Sequence, residues 1–204
     1  FENTWQSTSY ATGFILLLPA LLLLMLFTNE YTFKTHRQNI IDGWSRMDFL
    51  KAKFSMLIFF VGVGTLLVFI MGLVVGKVFS DPGTDMFTNI HMVGYFALMA
   101  ALYLMLAFLV AILIKRTGLS IIIYFAIVCI VDNVLWLVFT LKDSQAGYFM
   151  PLEVVDSLLV NPFKPKLMEK RTVADYTLVI ATLTYISAYA YIIIRYFKKT
   201  DLKT

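Results

Sequence analysis

The sequence predicts an all-α fold, a polytopic membrane helix bundle with five spans in this chain. Hydrophobic residues make up 60% of the 204 residues, charged residues only 15%, and the mean hydropathy is +0.80. A soluble domain of this length does not carry that much apolar surface in water. Apolar runs of roughly 20 residues, the length of helix that crosses a bilayer core, recur five times. Lipid-exposed strands are excluded, because an open sheet edge would leave backbone groups unpaired in hydrocarbon.

We expect one transmembrane domain over residues 1–204. The chain begins at Phe1 and not at a methionine, and we expect one more span before it, six in the full protein. The predicted spans are residues 10–27, 54–76, 92–114, 119–141 and 176–194.

The first two spans carry residues that affect helix shape and packing. Pro19 removes a backbone donor inside the first span, so a kink is expected there. Gly72 and Gly76 form a small-xxx-small motif, GLVVG, in the second span. This motif allows another helix to approach closely, either in a dimer or in ordinary packing within the chain.

Residues 29–53, called here the polar segment, form a charged stretch between the first two spans. Gly43 is suited to end a helix in the left-handed conformation, and Ser45 with Asp48 three residues later is typical of a capping box that starts the next helix. The alternative is a loop that merely connects two spans. Four apolar residues of the segment share one face of a helix: Phe33, Ile40, Ile41 and Trp44.

Basic residues orient the bundle. Most of the 17 Lys and Arg residues fall in the polar segment, in the tight turn at Lys115 and Arg116, and in the C-terminal tail. The positive-inside rule therefore places these parts and the C-terminus in the cytoplasm, and the N-terminus of this chain outside.

Asp132 is the one acidic residue inside a predicted span, next to Asn133. An unpaired charge there costs roughly 3 kcal/mol or more, so Asp132 is either part of a transport path or a protonated or hydrogen-bonded packing residue. Its candidate partners are Tyr185, Tyr189 and Tyr191 of the last span.

The connection at residues 142–175 is predicted to lie outside and is too long for a simple turn. Its apolar piece, residues 154–160, is too short to cross the bilayer and is followed by Pro162. These features indicate a re-entrant or interfacial helical pair that ends against Pro162.

No catalytic or cofactor motif is present. The sequence has no P-loop, no GxSxG and no HExxH. His36 and His91 fall on opposite sides of the membrane in this topology, and Cys129 is the single cysteine. We therefore expect no enzyme activity, no metal site and no cofactor in this chain, and we assign its positive charge to topology and not to nucleic-acid binding.

The polar segment resembles the corresponding part of type-2 ATP-binding-cassette (ABC) exporter permeases. In that family an acidic residue leaves a span, a Thr/Arg pair follows, and a Gly-x-Ser-Arg corner leads to a lysine that opens the next span. The similarity continues through the tight basic turn, the long loop with Asn-Pro and the basic tail, while the family's first span and the helix before it are missing. The matching residues are Glu30, Lys34, Thr35, His36, Arg37, Gly43, Trp44, Ser45, Arg46, Lys51, Ala52 and Lys53.

The resemblance implies an export permease of the bacterial inner membrane that pairs with a second permease copy, as homodimer or heterodimer, and with separate ATPase subunits that bind ATP and Mg. A helix from Glu30 to Asp42 would be the coupling helix seated on the ATPase. Arg37 and Arg46 would meet acidic groups there, and Glu30 would anchor the helix. The full set of expected coupling residues is Glu30, Phe33, Lys34, Thr35, Arg37, Ile40, Ile41, Gly43, Trp44, Ser45 and Arg46.

Two other functions fit the sequence. One is a non-transporting membrane anchor or scaffold that recruits a soluble partner through the polar segment. The other is an ion-coupled carrier that uses Asp132 and needs no ATPase. In either transporter, Asp132, Asn133, Tyr185 and Tyr189 are the expected residues of the path.

Overall fold

The computed structural model describes residues 4–33, 35, 43, 45–79, 85–142, 144–159 and 172–199. These residues form helices and turns and no strand, and five of the helices are long and apolar enough to cross a membrane. This confirms the predicted all-α bundle, and the protein is an integral membrane protein. The spans are Thr4–Thr32, Met47–Phe79, His91–Ile114, Thr117–Leu141 and Asp175–Lys199, numbered first to fifth.

The helices are longer than the apolar runs that predicted them. The first span was expected over residues 10–27 but its helix continues to Thr32, and the helix of the second span begins at Arg46. Hydropathy marks the part of a helix that suits hydrocarbon, whereas polar turns at either end extend the helix beyond it. Glu30 therefore belongs to the helix of the first span, whereas most of the coupling helix expected from Glu30 to Asp42 lies outside the described residues and stays a prediction.

Two spans contain a change of helix type. The first consists of the α-helices Thr4–Gly13 and Leu17–Thr32 joined by a 3₁₀ turn, Phe14–Leu16. This 3₁₀ turn lies one helical turn before Pro19. Proline has no backbone N–H to donate to the carbonyls of that turn. The fourth consists of the α-helices Thr117–Phe125 and Asp132–Leu141 joined by a π-helix, Ala126–Val131.

The third span is the centre of the bundle and contacts each of the other four. In its most apolar part 67% of the residues are buried, against 11% in the second and fourth spans. Small residues permit this central position because they let neighbouring helices approach closely. Ala100, Ala107 and Ala111 are all fully buried. The surrounding spans keep broad apolar faces on the outside, as a lipid solvent requires.

Residues 144–159, the loop segment, fold back against the third, fourth and fifth spans. They contain a 3₁₀ helix, Gln145–Phe149, and one turn of α-helix, Glu153–Asp156. The residues Leu152, Val154 and Val155 are at most 1% exposed. The predicted pair of short helices is confirmed in these residues, while Pro162 lies outside the described part.

The bundle has two distinct ends. The basic end carries Glu30, Lys53, Lys115 and Arg195, and the loop end carries Trp5, His91 and the loop segment.

Candidate functional site

The candidate site is an ion pair at the base of the polar segment. Lys53 Nζ on the second span bonds Glu30 Oε1 on the first span. The two residues stand 23 positions apart, and the chain between them is the bulk of the polar segment. We call this pair the clamp, because it joins the two helices between which the segment emerges.

The clamp is sheltered from solvent. The Lys53 side chain is 10% exposed and that of Glu30 is 27% exposed. The ammonium of Lys53 also lies 4.9 Å from the ring centroid of Phe27 and 4.9 Å from that of Phe49. A carboxylate and two aromatic faces together replace the water that a buried ammonium loses.

The aromatic rings extend the clamp to two further spans. Phe27 contacts Phe108 of the third span with ring centroids 4.5 Å apart, and Phe49 contacts Phe197 of the fifth span at 6.0 Å. Phe54, one residue after Lys53, also meets Phe108 at 5.4 Å. Four of the five spans are therefore packed around one ion pair.

The fourth span joins the same end through the tight turn. Thr28 Oγ1 donates to Thr117 Oγ1 at 2.9 Å, and Thr117 Oγ1 donates to Asn29 Oδ1 at 3.2 Å. The third span ends just before Lys115, which has a left-handed φ of 57°. The Lys115 ammonium lies 5.5 Å from the ring centroid of Tyr31 and 5.7 Å from that of Tyr196. The basic end is thus a single packed junction of all five spans.

The second helix starts as the capping-box pattern predicts. The backbone N–H of Asp48 donates to Ser45 Oγ at 3.1 Å, and the hydroxyl of Ser45 donates to Asp48 Oδ2 at 2.5 Å. Gly43 has a φ of 93°, the left-handed region that glycine enters without steric cost. Thr35 Oγ1 lies 3.5 Å from the Glu30 carbonyl, and Phe33 is 72% exposed.

Part of the expected coupling surface is not described. Lys34, Arg37, Ile40, Ile41 and Trp44 lie outside the described residues, as does the side chain of Arg46. The predictions for these residues stay predictions.

Asp132 lies in the half of the bundle away from the clamp, where it accepts hydrogen bonds from the loop segment. Its Oδ1 accepts the N–H of Leu152 at 3.1 Å, and its Oδ2 accepts the N–H of Glu153 at 2.9 Å. These donors belong to the first turn of the short helix Glu153–Asp156, so the carboxylate caps that helix from a different span. The residue is 5% exposed, and of the two alternatives weighed for Asp132, this geometry is that of a hydrogen-bonded packing residue.

The tyrosines expected beside Asp132 are divided by the structure. Tyr185 and Tyr189 lie within the range of electrostatic interaction with Asp132. The hydroxyl of Tyr185 donates to the Phe149 carbonyl at 2.8 Å. Tyr191 is 61% exposed and accepts from Arg195 Nη1 at 3.0 Å, so its place as a partner of Asp132 was wrong. Rotation along a helix separates it from Tyr189, because two positions differ by about 200°.

Asn133 does not join Asp132. The side chain is exposed on the outer face of the fourth span, and its Nδ2 donates to the Val128 carbonyl at 3.0 Å and to the Cys129 carbonyl at 3.4 Å. These carbonyls belong to the π-helix. Sequence reasoning placed these residues in one path because they are neighbours in the chain, although neighbouring side chains on a helix point about 100° apart.

Gly72 and Gly76 are both buried. A Cβ at Gly72 would overlap the indole ring of Trp5, which is fully buried and stacks on Phe69 with centroids 5.7 Å apart. Close packing at Gly72 therefore occurs within the chain. The indole Nε1 donates to the Met86 carbonyl at 2.9 Å, which ties the N-terminal helix to the turn that precedes the third span.

Sequence reasoning missed two contacts, one in the clamp and one at the loop segment. Lys53 was noticed only as a motif residue, although Glu30 and Lys53 end and begin adjacent spans with opposite charge, which is a signal for pairing. The bond from the Tyr103 hydroxyl to Asp156 Oδ2, 2.7 Å long, had no signal in the sequence. No group of three or more His, Cys, Asp or Glu side chains that could hold a metal is found in the part of the chain that the structure describes.

One family model, described as "Protein of unknown function (DUF2705)", matches residues 1–203. A comparison with curated proteins gives no match.

Proposed function

We propose that this chain, which belongs to the DUF2705 family of proteins of unknown function, is the permease subunit of an ABC transporter. It moves its substrate by alternating access, in the direction of export, and a separate ATPase subunit binds and hydrolyses ATP with Mg. The observation that carries the proposal is the clamp. A soluble motor that pushes on the polar segment acts on a rigid base, because Glu30 and Lys53 bind the two helices of that base together.

The packing around the clamp supports transmission into the bundle. Force on the polar segment reaches the third span through Phe27 and Phe108, and the fifth span through Phe49 and Phe197. A switch between two arrangements needs such connected, packed elements, since packed interiors do not deform continuously. A loop that only joined two spans would need neither a buried ion pair nor these ring contacts.

The proposed setting is the bacterial cytoplasmic membrane with the basic end inside. The described basic residues support it, because Lys51, Lys115, Arg116, Lys198 and Lys199 lie at this end, with Lys77 and Lys142 at the other. The N-terminus of the chain is then outside and its C-terminus inside. A second permease copy completes the transporter.

The ion-coupled carrier gains no support from Asp132. A carrier needs a carboxylate that is able to release its partners and bind an ion, whereas both oxygens of Asp132 accept backbone N–H groups of the loop segment. The scaffold differs from the permease in a testable way. A scaffold binds the motor without a mechanical link to its ATP cycle.

The first test is capture of the motor. We expect the tagged full-length protein, extracted from native membranes in mild detergent, to co-purify with a P-loop ATPase. Arg37→Glu should abolish this capture because it reverses charge in the proposed contact, whereas Lys198→Glu, the same change in the basic tail at the same end, should retain it. No ATPase in the purified sample, or equal loss in the two variants, would contradict the proposal.

The second test separates permease from scaffold. In the complex reconstituted in nanodiscs, Lys53→Met should change the ATP turnover rate by roughly 5-fold or more while the ATPase stays bound, since it breaks the clamp and not the docking surface. Lys51→Met is the matched control, because Lys51 is 73% exposed and pairs with Asp48 on the surface. Equal turnover in Lys53→Met and Lys51→Met would favour the scaffold.

A further inference from the structure

The outer face of the fourth span carries a polar side chain deep in the membrane. This span has 25 residues, so its midpoint is Cys129, and Asn133 lies only about 6 Å along the axis from that midpoint. A bilayer core extends roughly 15 Å to either side of its centre. The exposed carboxamide of Asn133 therefore sits well inside the hydrocarbon when the span is centred.

The turn before Asn133 explains why the side chain faces outward. The π-helix Ala126–Val131 ends just before Asp132, and Asp132 points inward to the loop segment. Asn133 is the next residue, rotated by about 100°, and is exposed. Its side chain is fixed by donation to the Val128 and Cys129 carbonyls.

The hydrogen bonds of Asn133 are incomplete. Its amide nitrogen has two protons, and both acceptors found for them are carbonyls of its own helix. Its Oδ1 accepts no hydrogen bond from the residues that the structure describes. A lipid chain supplies no donor, so an acceptor at this depth calls for a second helix.

We propose that this face of the fourth span is the contact with a second copy of the chain, and that Asn133 pairs with Asn133 of that copy. A carboxamide is both donor and acceptor, so two of them related by a two-fold axis satisfy each other. Each side chain keeps one proton on its own Val128 carbonyl and gives the other to the Oδ1 of its partner.

The surroundings of Asn133 suit a helix–helix contact. Large apolar side chains recur along the same face with the spacing of a packing stripe, and they remain exposed in the single chain. They are Ile130 at 60%, Val134 at 50%, Leu137 at 46% and Leu141 at 76% exposure.

The interface gives a location to the second copy that the proposed function includes, and in that respect it rests on that function. It does not depend on the ATPase, however. A failure to find the contact leaves motor capture intact, and a failure to capture the motor leaves the contact intact.

Cys129 makes the test possible without a new cysteine. It is the single cysteine of the chain, it is exposed, and its carbonyl accepts from Asn133 one turn away. We expect copper phenanthroline to oxidise the full-length protein in native membranes to a disulfide-linked dimer of two chains. Cys129→Ala should give none. Asn133→Leu should associate about 3- to 30-fold more weakly and form correspondingly less dimer, whereas Asn133→Gln, which keeps the carboxamide, should retain it.

The control for random collision is a cysteine on another outward face at similar depth. Leu66 of the second span is 57% exposed, and Leu66→Cys in the Cys129→Ala background should give little dimer. Thermal unfolding of each variant shows that it is folded. No dimer through Cys129, equal dimer through Leu66→Cys, a disulfide to a different protein, or equal loss in Asn133→Gln and Asn133→Leu would each overturn the proposal.

Discussion

Lys53 and Asp132 are charged side chains in the apolar interior, and each has a different set of partners. Lys53 meets a carboxylate and the faces of Phe27 and Phe49, whereas Asp132 meets two backbone N–H groups. Both arrangements replace the water that the charge has lost, and they thereby lower the free-energy cost of burying it. The residue at each position is thus explained by its partners and not by its own hydropathy.

We expect Asp132→Ala to destabilise the protein by about 1–3 kcal/mol for each of the two N–H groups it leaves without an acceptor. Asp132→Asn, which keeps one acceptor oxygen, should lie between this variant and the natural chain. The measurement is thermal unfolding in detergent.

The control for Asp132→Ala is Val74→Ala on the second span, where the side chain is 54% exposed and lies outside the proposed contact with a second copy. Similar melting temperatures for the two variants would show that the bonds to Leu152 and Glu153 do not hold the loop segment.

At the scale of the element, breaks in helix geometry decide which side chains meet. In the first span a 3₁₀ turn accompanies Pro19, and in the fourth span a π-helix precedes Asp132. An inserted π turn rotates everything after it relative to everything before it. The π-helix therefore sets which of the neighbours Asp132 and Asn133 faces the loop segment.

The start of the second span is a test of an element by itself. Ser45→Ala removes the acceptor for the Asp48 N–H and should cost about 1 kcal/mol of helix stability. We expect faster amide hydrogen exchange in residues 46–49 and unchanged exchange in the membrane-embedded part of the span. Ser55→Ala, an exposed serine inside the same helix, is the control, and equal exchange in the two variants would count against the cap.

At the scale of the whole molecule, one helix organises the other four. The third span is buried along most of its length, while Trp5 closes the loop end against Gly72 and the clamp closes the basic end. Because each peripheral span packs on this centre, a change there reaches all of them.

We expect Ala107→Leu to destabilise the bundle by about 1–3 kcal/mol, since Ala107 is fully buried and the added carbons have no space. Ala188→Leu makes the same change on the exposed face of the fifth span and should leave the melting temperature unchanged. A tolerated Ala107→Leu would mean that the third span is not packed on all sides.

Four features could be predicted from the amino-acid sequence: the number of spans, the two ends of the bundle, the capping box at Ser45 and the short helices of the loop segment. These features are local, because an apolar run, a capping serine and an excess of Lys and Arg act over neighbouring residues. The ends of the helices were less well predicted, since hydropathy reports hydrocarbon length and not helix length.

The partners of the charged and polar residues could be read only from the folded chain. It joined Glu30 to Lys53, gave both oxygens of Asp132 to the loop segment and turned Asn133 away from it. Each outcome depends on the rotation of one helix about its axis relative to another. A composition that is apolar on every side of a span contains little information about that rotation, because in lipid the outer face is as hydrophobic as the inner one.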